Sequence, residues 1–487
     1  MKTLLKQYPL LTIGILGASV IFNAGCSKQF LEVDPQGQQP ATTFYTSADD
    51  ATKAVNAVYG NLREWNQVAF AAIAVESVAS DDAEKGSSAG DATFFNTYDN
   101  FTVSSTEGQL QGFWTGQYQE INLANQAIDN IPAISMDEGL KARYIAEAKV
   151  ARAYAHFRLV RAFGDVPLRI GLPKTPAEYN LPRTPKADVY AAIEKDLTEA
   201  AAVLPASYPA ADLGRFTKGA ALALHAKVAM YQKKWNDVLS LTNQVAGLGY
   251  NLFPDYEKQF RVENENNIES VFEIQASLVQ GSPEASNSQY SQVQGVRGSQ
   301  GGGWGFNVPT ANLASSYEAG DKRKEATIIF RGETTPQGDV IPATGDNPMY
   351  NQKSYVPFSM YISGYNEGAQ QNIRVIRFAD VLLMNAEALN ELGQTANALV
   401  PLNRVRTRAG LAARTSTDQA IVRSQIYSER RAEFAMEFDR YFDVLRQGRG
   451  AEVFGPLGWK ANKNEVWPIP QNEIDLSAGI LIQNPNY

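Results

Sequence analysis

RYIAEAKVARAYAHFRLVRAF, residues 143–163, is the stretch on which the fold class turns. Ala148, Ala151, Ala155, Leu159 and Ala162 recur at steps of three or four, which aligns them along one face of an α-helix. That face is mostly alanine, so a second helix can approach closely. Gly164-Asp165-Val166-Pro167 then stops the helix. Another helix is expected from about Lys186, ending at Pro205.

Two further segments carry tetratricopeptide spacing, in which small residues at set intervals let an antiparallel helix pair nest. Ala226, Ala229, Lys233, Val238, Thr242 and Val245 form one; Ala386, Leu389, Gly393, Ala398, Leu402 and Val405 form the other at identical offsets. The first departs at Lys233, where the turn normally holds glycine. The two segments lie too far apart in sequence to read as a regular solenoid. The expected fold is therefore mostly α: a tetratricopeptide-like helix-pair scaffold at about 40–250 and 373–450, with a large irregular insertion containing short strands at about 251–372. The insertion is rich in Gly, Ser, Gln, Asn and Pro, and its β-leaning runs are 270–275, 326–331 and 372–377. A second irregular stretch covers 81–116. Long irregular segments in compact proteins commonly carry function, and both of these hold aromatic rings.

The 487 residues include 44 Lys and Arg against 52 Asp and Glu, a net charge of −8, which argues against a nucleic-acid binder. His156 and His225 are the only histidines, too few for a His-rich zinc site, and no metal ligands are assigned. Cys26 is the only cysteine, so there is no internal disulfide and no CxxC centre. Lys2 and Lys6 precede an apolar run at 10–22, about 20 Å long as a helix and too short to span a bilayer core. Ala24-Gly25 and then Cys26 follow at once. Residues 1–25 read as a lipoprotein signal peptide, with Cys26 lipidated and the unit 26–487 tethered to a membrane through its lipid alone. Asn23 stands where such signals usually have a leucine-like residue.

Glu429, Arg430, Arg431, Glu433, Glu437, Arg440, Asp443 and Arg446 form a charged ladder near one helical face. Read as chemistry, it offers a carboxylate pair for glycoside hydrolysis, which needs one raised pKa across a cleft. Read as architecture, it is an ion-pair network, and the interleaved arginines favour that reading. His156 and His225 lie among apolar helical residues and read as core, as do Trp114 and Trp235. Trp304 differs: it stands in Gln300-Gly-Gly-Gly-Trp-Gly-Phe306, where no helical or strand period buries it. A flat indole there suits the apolar face of a sugar ring or a peptide side chain. The glycines make no phosphate cradle, because no P-loop lysine or helix follows. Asp81, Asp82, Asn96 and Tyr98 set polar groups beside rings, the mixture that carbohydrate recognition needs. Trp65 joins them as a further candidate, and Phe94 and Phe95 read as core.

Several motifs together resemble the SusD/RagB family of outer-membrane nutrient-binding lipoproteins. They are Cys26-Ser-Lys-Gln-Phe-Leu-Glu-Val-Asp-Pro35, Glu147 to Tyr154 running on to Phe163-Gly-Asp-Val-Pro167, Asn307-Val-Pro-Thr310 with Tyr317 to Arg323, and Arg377 to Ala388. The most specific are Glu429-Arg-Arg-Ala-Glu-Phe434 with Arg440, Asp443 and Arg446, then Trp467-Pro-Ile-Pro-Gln471 and Gln483-Asn-Pro-Asn-Tyr487. Asn486 stands where the family ending has glycine, and asparagine also accepts positive φ. The resemblance implies a non-enzymatic, surface-exposed protein that binds an oligosaccharide and hands it to a TonB-dependent transporter barrel. It implies no catalytic residue and no required cofactor, with a bound calcium ion left open. A carboxylate-pair glycoside hydrolase, a peptide-binding protein of the same family and a pure interaction scaffold are the alternatives.

Overall fold

A computed structural model describes residues 44–277, 289–298, 302–360 and 369–487. The signal segment, Cys26 and residues 299–301 lie outside the described residues. The chain is mostly helical. Its long helices are α1 (Ala48–Asn61), α2 (Gly108–Asn130), α3 (Glu138–Phe163), α4 (Lys186–Val203), α5 (Lys218–Tyr231), α6 (Trp235–Ala246), α7 (Phe378–Glu391), α8 (Thr395–Arg408) and α9 (Gln419–Phe434). Helix starts follow side-chain chemistry: Ser47 and Asp50 form a capping box on α1, and Asp137 accepts from Leu140 N–H to begin α3. Gly164 at φ 74° ends α3.

The alanine face of α3 does what its spacing demands: Ala148, Ala151, Ala155 and Ala162 are fully buried. α2 and α4 both pack along α3, and α5, α6 and α7 then follow in series. The two tetratricopeptide-like pairs, α5–α6 and α7–α8, are therefore neighbours in space. Asn385 on α7 donates to Thr242 Oγ1 on α6 at 2.9 Å. Sequence distance argued against a regular stack; the intervening residues loop out instead and leave the helices in contact.

The looped-out residues, with a strand from the first irregular stretch, form small antiparallel sheets. β1 (Ala83–Gly86) pairs with β3 (Phe306–Pro309), β2 (Ser270–Ile274) with β6 (Ile373–Arg377), and β4 (Ile328–Phe330) with β5 (Met349–Asn351). The β1–β3 pair brings the irregular stretch after Asp81 against the insertion.

The charged ladder is not one helix. α9 ends at Phe434, Met436 and Phe438 both adopt φ 66°, and a new helix, α10, runs over Arg440–Arg446. The ladder residues are nonetheless an ion-pair network. Glu433 is completely buried against Arg377 at 2.8 Å, Arg408 at 2.5 Å and Arg323 at 3.2 Å. Arg430 joins Asp380 on α7 to Asp443 on α10, and Arg446 reaches Glu387 at 2.6 Å. Although burial alone raises a carboxyl's pKa, the three arginines outweigh it and hold Glu433 down at about 2.

Three stability measurements follow. Replacing Glu433 by Gln leaves buried guanidinium groups uncompensated and lowers the unfolding free energy by about 3–5 kcal/mol, read as a fall in urea midpoint. Lys233 occupies the left-handed region at φ 57° in the α5–α6 turn, where its counterpart Gly393 has φ 76°. Lys233→Gly relieves that backbone penalty and raises the urea midpoint, by about 1 kcal/mol in stability. Glu120 on α2 is 0 % exposed and accepts from Asn61 Nδ2 at 2.7 Å; desolvation pushes its pKa up to about 8 from the ordinary 4.5. The folded protein thus keeps a proton that the unfolded chain releases, so stability is fullest below pH 4.5 for this group and declines as pH rises towards 8. Glu120→Gln removes that decline, and the variant melts higher than the parent at pH 8.5 while differing little at pH 5.

Candidate functional site

A ring cluster assembles where the first irregular stretch meets the Trp304 loop. Its base is Phe95 and Phe306, both buried. Phe70 packs on this base, with ring centroids 5.1 Å from Phe95 and 4.9 Å from Phe306. Above lie three half-buried rings: Trp65 at 5.1 Å from Phe70, Phe94 at 5.8 Å and Trp304 at 5.9 Å. Trp65 and Trp304 approach each other to 5.9 Å at an interplanar angle of 49°. Four half-buried rings on a buried aromatic floor make a faceted apolar surface.

The Trp65 side is built from the scaffold. Gln67, two residues on, is buried; its Nε2 donates to Gly116 O on α2 at 2.7 Å. Arg158 of α3 donates to Gln67 Oε1 at 2.6 Å and to its carbonyl at 2.9 Å. The same guanidinium pairs with Glu76 at 2.7 Å, and Arg161 reaches Glu76 from the next turn. These arginines offset the burial that would otherwise raise the Glu76 pKa, and hold it below the ordinary value. The π-helical turn Ala74–Val78 that carries Glu76 then delivers the chain to Asp81.

The Trp304 side is set by backbone contact. Trp304 N–H donates to Gln292 O at 2.9 Å and Gly305 N–H to Gly295 O at 2.9 Å. A Cβ on Gly303 would come within 2.3 Å of the Gly295 backbone, so only glycine passes there.

The sequence-derived candidates divide. Trp65 and Trp304 meet, as above. Asn96 is exposed, two residues beyond Phe94 on a short helix bordering the cluster. Tyr98 is corrected to core: it is 0 % exposed and packs edge-on to Trp467 at 5.5 Å, so it presents no surface to a ligand. Asp81 and Asp82 are likewise corrected. Arg440 grips Asp81 through two bonds of 2.8 and 2.9 Å, and Arg431 binds Asp82 at 2.7 Å. This carboxylate pair moors the loop to α9 and α10; Asp82 Oδ2 has no hydrogen-bond partner among the described residues, but Asp82 is only 2 % exposed, which keeps that oxygen out of reach of a sugar hydroxyl. Phe95 is core, whereas Phe94 is half-buried and belongs to the upper rings. Phe70 went unnoticed in the sequence because Val-Ala-Phe-Ala-Ala reads as an ordinary buried run.

No ladder carboxyl has the environment of a general acid. Glu433 is buried and Glu437 half-buried, and both are held below the ordinary pKa, Glu437 by Arg377 and Lys353 against its desolvation. His156 Nδ1 lies 3.0 Å from Arg152 O, and burial with the nearby Arg152 charge lowers its pKa to about 3, which keeps it neutral. Among the described residues, no group of three or more His, Cys, Asp and Glu side chains could hold a metal ion, and no helix is long and apolar enough to cross a membrane.

Comparison with known proteins places this architecture. Residues 268–487 match the model of the SusD family, and residues 29–230 match a second one described as starch-binding associating with outer membrane. SusD-like protein P2 of Formosa agariphila is 28% identical over 519 residues, spanning 99% of this chain and 100% of its own length. A SusD-like protein of Bacteroides ovatus is 28% identical, across 88% of this chain and 81% of its own. Among solved structures, a laminarin binding SusD-like protein superposes with a TM-score of 0.79 at 31% identity, covering 91% of this chain and 100% of that one. Surface glycan-binding protein A from Bacteroides thetaiotaomicron, in complex with laminarihexaose, shares the fold at a TM-score of 0.76 and 24% identity, covering 91% of this chain and 100% of that one. The helix-pair stack, the motifs spread along it and these matches together make the chain a member of the SusD/RagB family.

Proposed function

We propose that this protein is a surface glycan-binding lipoprotein of the outer membrane, tethered through Cys26, which captures an oligosaccharide on the Trp65–Phe70–Phe94–Trp304 platform and passes it to a TonB-dependent transporter barrel. It binds and releases its ligand without chemistry. The observation that carries the reading is the cluster itself: half-buried rings at set angles on a buried aromatic floor, beside the exposed amide of Asn96. Rings take the C–H faces of sugars, and amides take their hydroxyls. The likeness to a laminarin binding relative makes laminarin the first ligand to try. Within the charged ladder, Glu433 and Glu437 are arginine-paired and held below the ordinary pKa, so neither supplies the raised carboxyl that a glycosidase needs.

Stacking one sugar on an indole hides roughly 60–100 Å² of apolar surface, or about 1.5–2.5 kcal/mol before ordering costs. In calorimetry with laminarihexaose, Trp304→Ala therefore weakens binding about tenfold or more, and Trp65→Ala does likewise. Because Trp304 packs on Trp65 and Phe70, its loss also lowers stability, by about 1 kcal/mol. Unchanged affinity in both variants across a panel of neutral glycans defeats the platform. Release of reducing sugar by the parent protein, abolished in Glu433→Gln or Glu437→Gln with the fold intact, defeats the non-enzymatic reading.

A further inference from the structure

A polar tie joins the Trp304 loop to the turn that follows β1. The Trp304 carbonyl accepts from Arg297 Nη1 at 3.1 Å. The same nitrogen faces Ser87 Oγ at 2.6 Å and Asp91 Oδ2 at 3.0 Å, on the turn that follows β1. Ser87 N–H donates to Gly305 O at 2.6 Å, and Ser87 Oγ donates to Asp91 at 2.9 Å. Lys85 Nζ holds the turn from within by donating to Ser88 O at 2.7 Å and Asp91 O at 3.0 Å. This turn is not one that its residues would choose. Ser87 at φ 55° and Ala92 at φ 42° are both left-handed without being glycine, so outside bonds must hold them.

Arg297 bonds both halves of the ring cluster's support: the turn leading into Phe94 and the carbonyl of Trp304. We propose that Arg297 is a positioning residue that sets Trp304 against Phe94 and Trp65, so that affinity for an uncharged glycan depends on the ion pair in this tie. The inference rests on the platform reading above. The Arg297 and Asp91 side chains are 36% and 40% exposed, so dissolved salt reaches and screens the pair. A neutral ligand then shows a salt-dependent affinity that its own chemistry does not supply.

Laminarihexaose binding is measured by calorimetry for the full mature chain and for Arg297→Gln, Arg297→Lys, Asp91→Asn, Trp304→Ala and the Arg297→Gln/Trp304→Ala double variant. Hydrogen exchange follows the backbone amides of residues 302–306 in parallel. Arg297→Gln is expected to weaken binding three- to tenfold and to speed exchange at Trp304 and Gly305, with helical amides unchanged. Arg297→Lys, which keeps the charge but loses the planar fork, falls between parent and Gln. The double variant binds no more than twofold weaker than Trp304→Ala alone, because a tie has nothing left to position. Raising salt from 20 to 500 mM (chosen as about a fivefold change in Debye length) weakens the parent about twofold and leaves Arg297→Gln and Asp91→Asn unchanged.

If Trp304→Ala weakens binding and Arg297→Gln does not, the tie is overturned and the platform stands. Full additivity in the double variant also overturns it, since Arg297 then acts apart from Trp304. If Trp304→Ala itself leaves binding unchanged, the platform fails and the positioning role fails with it. An Arg297→Gln protein with accelerated exchange throughout its helices has lost its fold generally, which overturns a local role.

Discussion

The Trp65 side of the ring cluster depends on the Arg158 guanidinium being desolvated between Glu76 and Gln67. A buried cation is tolerable only when its donors are matched, and here carboxylate, amide and carbonyl oxygens match them. The consequence is mechanical. α3 cannot take its place without drawing the Trp65 turn and the Glu76 turn onto it. An irregular stretch with no repeating backbone pattern is thus given a fixed address by one helix. The same device recurs at the other end of that stretch, where Arg431 and Arg440 seize Asp81 and Asp82. Loops in this protein are shaped by arginines projecting from helices.

That division of labour explains a core so rich in charge. Alanine faces let the helices approach, but alanine contacts are shallow and direction-poor. Ion pairs supply direction. Arg430 meets Asp380 and Asp443, Lys227 meets Asp380 and Asp439, and Arg377 meets Glu269, Glu433 and Glu437. Each set joins segments far apart in sequence, and a slipped register would leave a charge unpaired in a dry interior, at a cost of several kcal/mol. Close packing by small residues and register by charge are complementary solutions to one problem.

Sequence reasoning reached the helices because their period is local. Ala148 to Ala162 declare one face, and Gly164 declares its end, with nothing else consulted. It singled out Trp304 as a large ring with no period to bury it, and kept Trp65, after a helix end, as a further candidate. It misassigned Tyr98, Asp81 and Asp82 for the opposite reason: their partners Trp467, Arg440 and Arg431 lie hundreds of positions downstream, and no local pattern announces them. Phe70 was hidden because a half-buried ring and a buried ring look alike inside an apolar run. The ladder's chemistry was legible from its alternating signs, but its break was not, since Met436 and Phe438 are unusual residues for a left-handed turn.

The β1–β3 pairing sets Ala83 beside Pro309. Contacts so remote in sequence form late, because the entropy of closing the intervening chain must be met before they contribute. Trp65 and Phe94 are made early on the ribosome, Trp304 much later, and the Arg431 and Arg440 moorings later still. A nascent or partly folded chain therefore displays isolated rings but no assembled surface. The assembled ring surface is a property of the finished molecule only, and a chain still in extended form carries none of it.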